Sequence, residues 1–197
     1  MLLGAGGQAG AVDVVPMAGL RFGGDVAGDT TASGTSTSQS FTIDSSASYG
    51  GAIDFPLPTD FTVQAIEVYF SRQQTTLQSG ELLSPPVSNL DVSVAQIGVV
   101  AVVPTADNHL SWLVTATAGA TRFETGAGSA TRPSLGAGGA VRWMLNDRVG
   151  VRADLRALVD FTGNGGSILA CNGGCNYNYT GTVVVQGEAS VGIVLRF

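Results

Sequence analysis

The sequence predicts an all-β chain, an eight-stranded antiparallel up-and-down β-barrel that spans a membrane. Three observations carry this expectation. Eight segments alternate apolar and non-apolar residues with a period of two. The links between them are short on one side and long on the other, as in transmembrane barrels with an even strand number. The charged faces of these segments are also rich in Gly, Ala and Ser, which suits the narrow interior of an eight-stranded barrel.

The first segment, 12–22, sets Val12, Val14, Pro16, Ala18, Leu20 and Phe22 against Asp13, Met17, Gly19 and Arg21. A Gly/Ser/Thr stretch, about 24–40, reads as a long loop. The second segment sets Ile43, Ala47, Tyr49, Ile53 and Phe55 against Asp44, Ser46, Ser48 and Asp54. The short turn PLPTD leads to the third, about 61–73, with Ile66, Val68 and Phe70 outward and Glu67 and Tyr69 inward. A long loop, about 74–87, precedes the fourth, about 88–103, which loses its alternation after Gln96 and so admits a bulge there.

After the short link TADNH, Trp112, Val114, Ala116, Ala118 and Ala120 alternate with Thr115, Thr117, Gly119 and Thr121. The medium loop ETGAGSA follows. The sixth segment sets Leu135, Ala137, Gly139, Val141, Trp143 and Leu145 against Ser134, Gly136, Gly138, Ala140, Arg142 and Met144. A two-residue turn, Asn146-Asp147, leads to the seventh, where Val149, Val151, Ala153, Leu155, Ala157, Val159 and Phe161 oppose Arg148, Arg152, Asp154, Arg156 and Asp160. A long loop, about 163–181, precedes the last. From Val183 to Phe197 every odd position is apolar or Gly, and the even ones include Gln186, Glu188, Ser190 and Arg196.

Composition narrows the function classes. The 197 residues carry fifteen acidic and nine basic side chains, net −6, and every basic one is Arg. No Lys means no P-loop lysine and no Schiff-base lysine. The acidic balance argues against a nucleic-acid partner. A hydrophobic content of 44% with 12% charge is too apolar for disorder. The longest apolar run, Ile97 to Val103, is far shorter than the roughly 20 residues of a membrane helix. No cofactor motif stands out. Gly4, Gly6 and Ala9 fit a dinucleotide fingerprint, but neither the strand before it nor the helix after it is present.

Residues 1–11 divide from the barrel at 12–197. Ala9-Gly10-Ala11 has the small-x-small form of a signal-peptidase site, so 1–11 reads as the tail of a secretory signal or, equally, as a Gly-rich terminus. Cys171 and Cys175 lie in CNGGCNYNY of the last long loop. In an oxidising compartment that spacing permits a local disulfide. A metal would need more ligands, and the one His, His109, lies at the other end of the barrel. Asn178-Tyr-Thr180 has sequon form, discounted because a barrel of this topology is expected to be bacterial.

On a lipid-facing barrel, Trp143 and Phe55 fall near short turns, and Tyr49 and Phe22 toward the long loops. They suit interfacial girdles, or else ordinary core aromatics. Arg142, Arg152, Arg156 and Arg196 share the inward face with Glu67, Asp154 and Glu188. Buried charge requires partners, so these residues predict a salt-bridge network that plugs the lumen. A gated ion path is the alternative.

The chain resembles the small bacterial outer-membrane barrels of the outer-membrane protein A/X type over about 12–197. VPMAGLRFGG, YFSRQQTTL, GAGGAVRWMLNDRVGVRADLRALV, ACNGGC and QGEASVGIVLRF carry the resemblance. Phe197, with Leu195, Ile193 and Val191 at alternate positions before it, looks like the signal read by the barrel-assembly machinery. The resemblance implies Sec export, outer-membrane lipid as surroundings and periplasmic termini. It implies no shared activity: some relatives are structural, some bind host factors and a few modify lipids.

The function expected is a non-enzymatic outer-membrane barrel with a plugged lumen and a structural or surface-interaction role, its loops open to an extracellular ligand. A small pore and a lipid- or peptide-acting enzyme are the alternatives. His109, between Asp107, Asn108 and Leu110, reads as a solvated turn residue rather than a base. A soluble lipocalin-like carrier would need an apolar lumen.

Overall fold

A computed structural model describes residues 11–32, 35–58, 63–78, 89–107, 109–125, 128–161, 176–179 and 183–197, giving the backbone course alone for 25–42, 77–78 and 176–179. Eight antiparallel strands close into a barrel: β1 (Asp13–Phe22), β4 (Ser46–Pro56), β5 (Val63–Thr75), β7 (Leu90–Pro104), β8 (Leu110–Thr125), β9 (Gly128–Met144), β10 (Val149–Phe161) and β12 (Val183–Arg196). Around the ring the order is β1-β12-β10-β9-β8-β7-β5-β4. This is the predicted meander, closed by β1 on β12 and on β4.

Four further strands lie in the long connections: β2 (Asp25–Ala32), β3 (Thr35–Ile43), β6 (Leu77–Gln78) and β11 (Asn176–Tyr179). They form a second sheet in the order β11-β2-β3-β6. The stretch 24–40, read from composition as loop, is thus mostly a β-hairpin. Its Thr30, Thr31, Thr35 and Thr37 are β-branched residues favoured in strands even without an apolar face. Chain direction changes at Gly23 and Gly24, with φ of 77° and 110°, a region that disfavours residues with a Cβ.

The hairpin also corrects the second strand. Ile43 ends β3, is buried at the loop end, and bonds through its N–H to Gly24 O at 2.9 Å. The barrel strand begins only at Ser46. The irregularity expected after Gln96 falls instead on β5, where the register shifts between Val63 and Ala65. β7 keeps its in-and-out alternation, with Ile97 and Val99 exposed and Gln96 and Val100 buried. The pattern is blurred in sequence because the inner face turns apolar there: Val100 packs with Ala65, Leu113 and Ala140.

Short turns are fixed by side-chain oxygens. Asn146 Oδ1 accepts the N–H groups of Arg148 (2.9 Å) and Val149 (2.8 Å), and Leu145 N–H reaches Val149 O, so the bend spans 145–148 rather than two residues. Thr105 donates to Leu110 O at 2.7 Å, Asp107 accepts the His109 N–H, and a His109 ring nitrogen lies 3.1 Å from Met144 O. These turns share one end of the barrel with Val12 and Phe197, whose backbones bond to each other. Cys171, Cys175 and residues 1–10 lie outside the described residues.

Candidate functional site

The barrel is inverted relative to a water-soluble one. Leu155 (60%), Val191 (61%), Ile97 (58%) and Trp112 (54%) are exposed on the outer wall. Inside, Arg21, Glu67, Arg152 and Asp160 are buried at 1% exposure or less. The aromatic side chains expected at the girdles, Phe22, Tyr49, Phe55 and Trp143, all point outward and are exposed.

The lumen charges form three tiers. At the turn end Asp13 accepts from Arg142 Nη1 (2.9 Å) and from Arg196 Nε and Nη2 (2.7 and 2.9 Å). In the middle, Arg152 bonds Asp154, Asp54 and Glu67 at 2.7–2.9 Å. Arg156 grips Glu67 with two prongs, at 2.7 and 2.9 Å, and reaches Asp154 at 2.9 Å. The Arg fork, with several donors in one plane, allows each guanidinium to serve more than one carboxylate. In the third tier Arg21 Nε donates to Glu188 Oε2 at 2.8 Å and Nη2 to Ser71 Oγ at 2.7 Å, while Ser71 and Ser48 hydroxyls donate to Glu188 Oε1.

Tyr69 joins the upper two tiers. The Arg156 guanidinium lies 4.1 Å from its ring centroid, a cation–π contact. Its hydroxyl donates to Glu188 Oε1 at 2.8 Å. Toward the loops, Thr121 bonds the buried Asp160, and Gln96 links Thr117 with Ser134.

The structure thus brings Arg152, Arg156, Glu67 and Asp154 into one cluster. It separates the other residues of the expected network. Glu188 goes to Arg21, and Arg142 and Arg196 go to Asp13. Glu188 stands in register with Arg21 on one side and Arg156 on the other, and Arg156 turns across the lumen instead. Arg21, Asp13 and Asp54 were legible as inward-facing residues, but their partners depend on the height at which the first and last strands meet. Leu195, Ile193 and Val191 sit on β12, with Val191 and Ile193 exposed to the outside, and Phe197 follows at the turn end.

Two cavities lie toward the ends of the barrel. A cavity of about 190 Å³ at the turn end is lined by Asp13, Asp54, Gln64, Val102, Arg142 and Arg196. One of about 710 Å³ at the loop end is lined by Asp44, Ser46, Gln74, Thr75, Asn89 and Asp91. Among the described residues no three His, Cys, Asp or Glu side chains are grouped as metal ligands.

No family model matches the sequence, and no curated protein matches it. Solved structures do. The barrel is similar to the outer membrane protein OprG from Pseudomonas aeruginosa, with a TM-score of 0.70 and 14% identity over 96% of each chain. The fold is that of the small outer-membrane barrels. Neisserial surface protein A is similar at a TM-score of 0.53 and 12% identity, covering 95% of this chain and 97% of that one. The outer membrane protease OmpT from Escherichia coli is similar at 0.51 and 9%, covering 97% and 98%. An outer-membrane barrel fold that includes a protease leaves activity to the side chains, not the wall.

Proposed function

We propose that this protein is an integral outer-membrane barrel, non-enzymatic, with a lumen plugged by its own charges and a structural or surface-interaction role. The observation that carries the reading is the inversion of polarity: an apolar wall around a charged interior. In water, exposing that wall is costly at about 25 cal/mol per Å², whereas lipid solvates it and the closed sheet satisfies its backbone. Likeness in fold to outer-membrane proteins supports the same location. Short turns and both chain ends then face the periplasm, and the second sheet faces outward, where an extracellular ligand would meet it. Phe197 with Leu195, Ile193 and Val191 supports recognition by the barrel-assembly machinery.

The tiers of ion pairs favour a plug over a pore, because each mid-lumen guanidinium is held by carboxylates and none is left to line a path. The test is electrophoretic mobility of the detergent-refolded chain, boiled against unboiled, beside conductance in a planar bilayer. A mobility shift without channels supports the reading. Solubility after detergent removal, with no shift, would overturn it.

A further inference from the structure

The outer wall of the barrel carries charge in one place. Five of the nine arginines serve the lumen tiers, Arg148 lies in the β9–β10 turn, and Arg132 shares the inward register of Ser134. Among the described residues, Arg72 and Arg122 are the arginines at outward positions of barrel strands. They fall in one register row. Tyr49 on β4 stands opposite Arg72 on β5, Arg72 opposite Ser93 on β7, Ser93 opposite Arg122 on β8, and Arg122 opposite Thr131 on β9.

Residues directly opposite in a sheet point to the same face. The row is therefore a strip of two guanidiniums and three hydroxyls, with the two arginine positions about 10 Å apart at the usual strand spacing. Two residues toward the turn end the next row is Gly51, Phe70, Ala95, Ala120 and Pro133, without a polar side chain. Two residues toward the loops, Gln74 stands opposite Asp91, and Asp91 opposite Glu124. The strip thus marks the upper edge of the apolar wall.

Arg72 and Arg122 each have a nearby acid, Asp91 and Glu124, both at 3.4 Å. Exposed ion pairs of this kind contribute little and exchange readily. The Arg72 Nε is buried and makes no hydrogen bond. In a chain of net charge −6, two outward cations at the boundary of the lipid-facing wall have a complementary ligand in phosphate, which the Arg fork and hydroxyl donors bind well.

We infer that the Tyr49–Arg72–Ser93–Arg122–Thr131 strip binds the phosphate-bearing headgroup of a membrane lipid in the leaflet at the loop end. The small side chains of Ala95 and Ala120 below it give one acyl chain a shallow floor. The inference rests on the membrane reading above.

The test uses the full chain refolded in non-ionic detergent, with native mass spectrometry reading retention of diphosphorylated lipid A and of the same lipid dephosphorylated. The wild type is expected to prefer the phosphorylated form about tenfold, and Arg72→Gln/Arg122→Gln to lose the preference. Arg148→Gln retains it, and Asp91→Asn/Glu124→Gln strengthens it. Equal retention of both lipids by the wild type overturns the site, as does a preference that survives in the arginine double variant. Displacement by inorganic phosphate as effective as by the lipid overturns its lipid character. A barrel that needs detergent but does not discriminate loses only this inference, whereas a chain soluble without detergent loses the membrane reading itself.

Discussion

Arg156 and Glu67 meet across the full width of the lumen. Their strands, β10 and β5, are four places apart in a ring of eight, yet the side chains form a two-pronged pair at 2.7 and 2.9 Å with both residues buried. Arg152 adds a third contact to the same carboxylate at 2.7 Å. Glu67 is therefore the acid from the opposite wall on which the two mid-lumen cations converge, beside Asp154 of their own strand.

Glu67→Ala should destabilise the barrel by about 3–5 kcal/mol, because it leaves buried guanidiniums short of charge. Glu67→Leu with Arg156→Met removes one charge of each sign and leaves Arg152 its bonds to Asp154 and Asp54, so it should be close to neutral. Urea unfolding in detergent micelles, followed by Trp112 and Trp143 fluorescence, measures both. A loss below about 1 kcal/mol for the single change would show that the network is solvated and weak.

Arg156→Ala should open the lumen to ions. The inner face beside Arg156 is Gly138, where an added Cβ would stand 2.7 Å from Leu155 O and 2.9 Å from Arg156 Cγ. The guanidinium stem therefore fills space that β9 leaves empty. Single-channel recording should show discrete steps for the variant and none for the wild type, and silence from both would place the block elsewhere.

Gly138→Ala should cost about 1–3 kcal/mol through overpacking at those same contacts. Gly128→Ala, whose Cβ meets nothing within 4 Å, should stay within about 0.5 kcal/mol of wild type. Equal effects in urea unfolding would contradict the packing described for β9.

Leu155→Arg separates lipid from water directly. Leu155 is 60% exposed in the middle of β10. On a wetted surface the change is nearly neutral, but at the midplane of a bilayer it costs about 2–4 kcal/mol. Refolding into vesicles rather than micelles reads the difference.

Phe197→Ala should leave refolding in detergent unchanged, since the Phe197 backbone, not its exposed ring, bonds to Val12. If the ring is the assembly signal, the variant's level in the outer membrane of an expressing cell should fall several-fold. Unaltered levels would assign Phe197 to the girdle alone.

The strands were legible because lipid and lumen impose opposite demands on alternate residues; the period of two fades only in the stretch of β7 after Gln96, where both faces are apolar. The second sheet was hidden because 24–40 has no such contrast: its Ser and Thr residues are not set against apolar ones at alternate positions. Partner choice in the lumen was hidden for a different reason. Sequence gives the face on which Glu188 lies, but its pairing with Arg21 follows from the stagger at which β1 meets β12, a property of the closed ring.

That ring has a bearing on how the chain reaches its native state. Every bond from Glu67 to Arg152 or Arg156 joins opposite walls, and Asp13 binds Arg142 from three strands away. None of these pairs can form in an open, partly paired sheet. Until the first strand meets the last, Arg152 and Arg156 have only Asp154 of their own strand as a partner, and Glu67 stays on the far side of a half-built interior. The network thus acts as a checkpoint on completion, rewarding the finished cylinder and penalising each intermediate short of it.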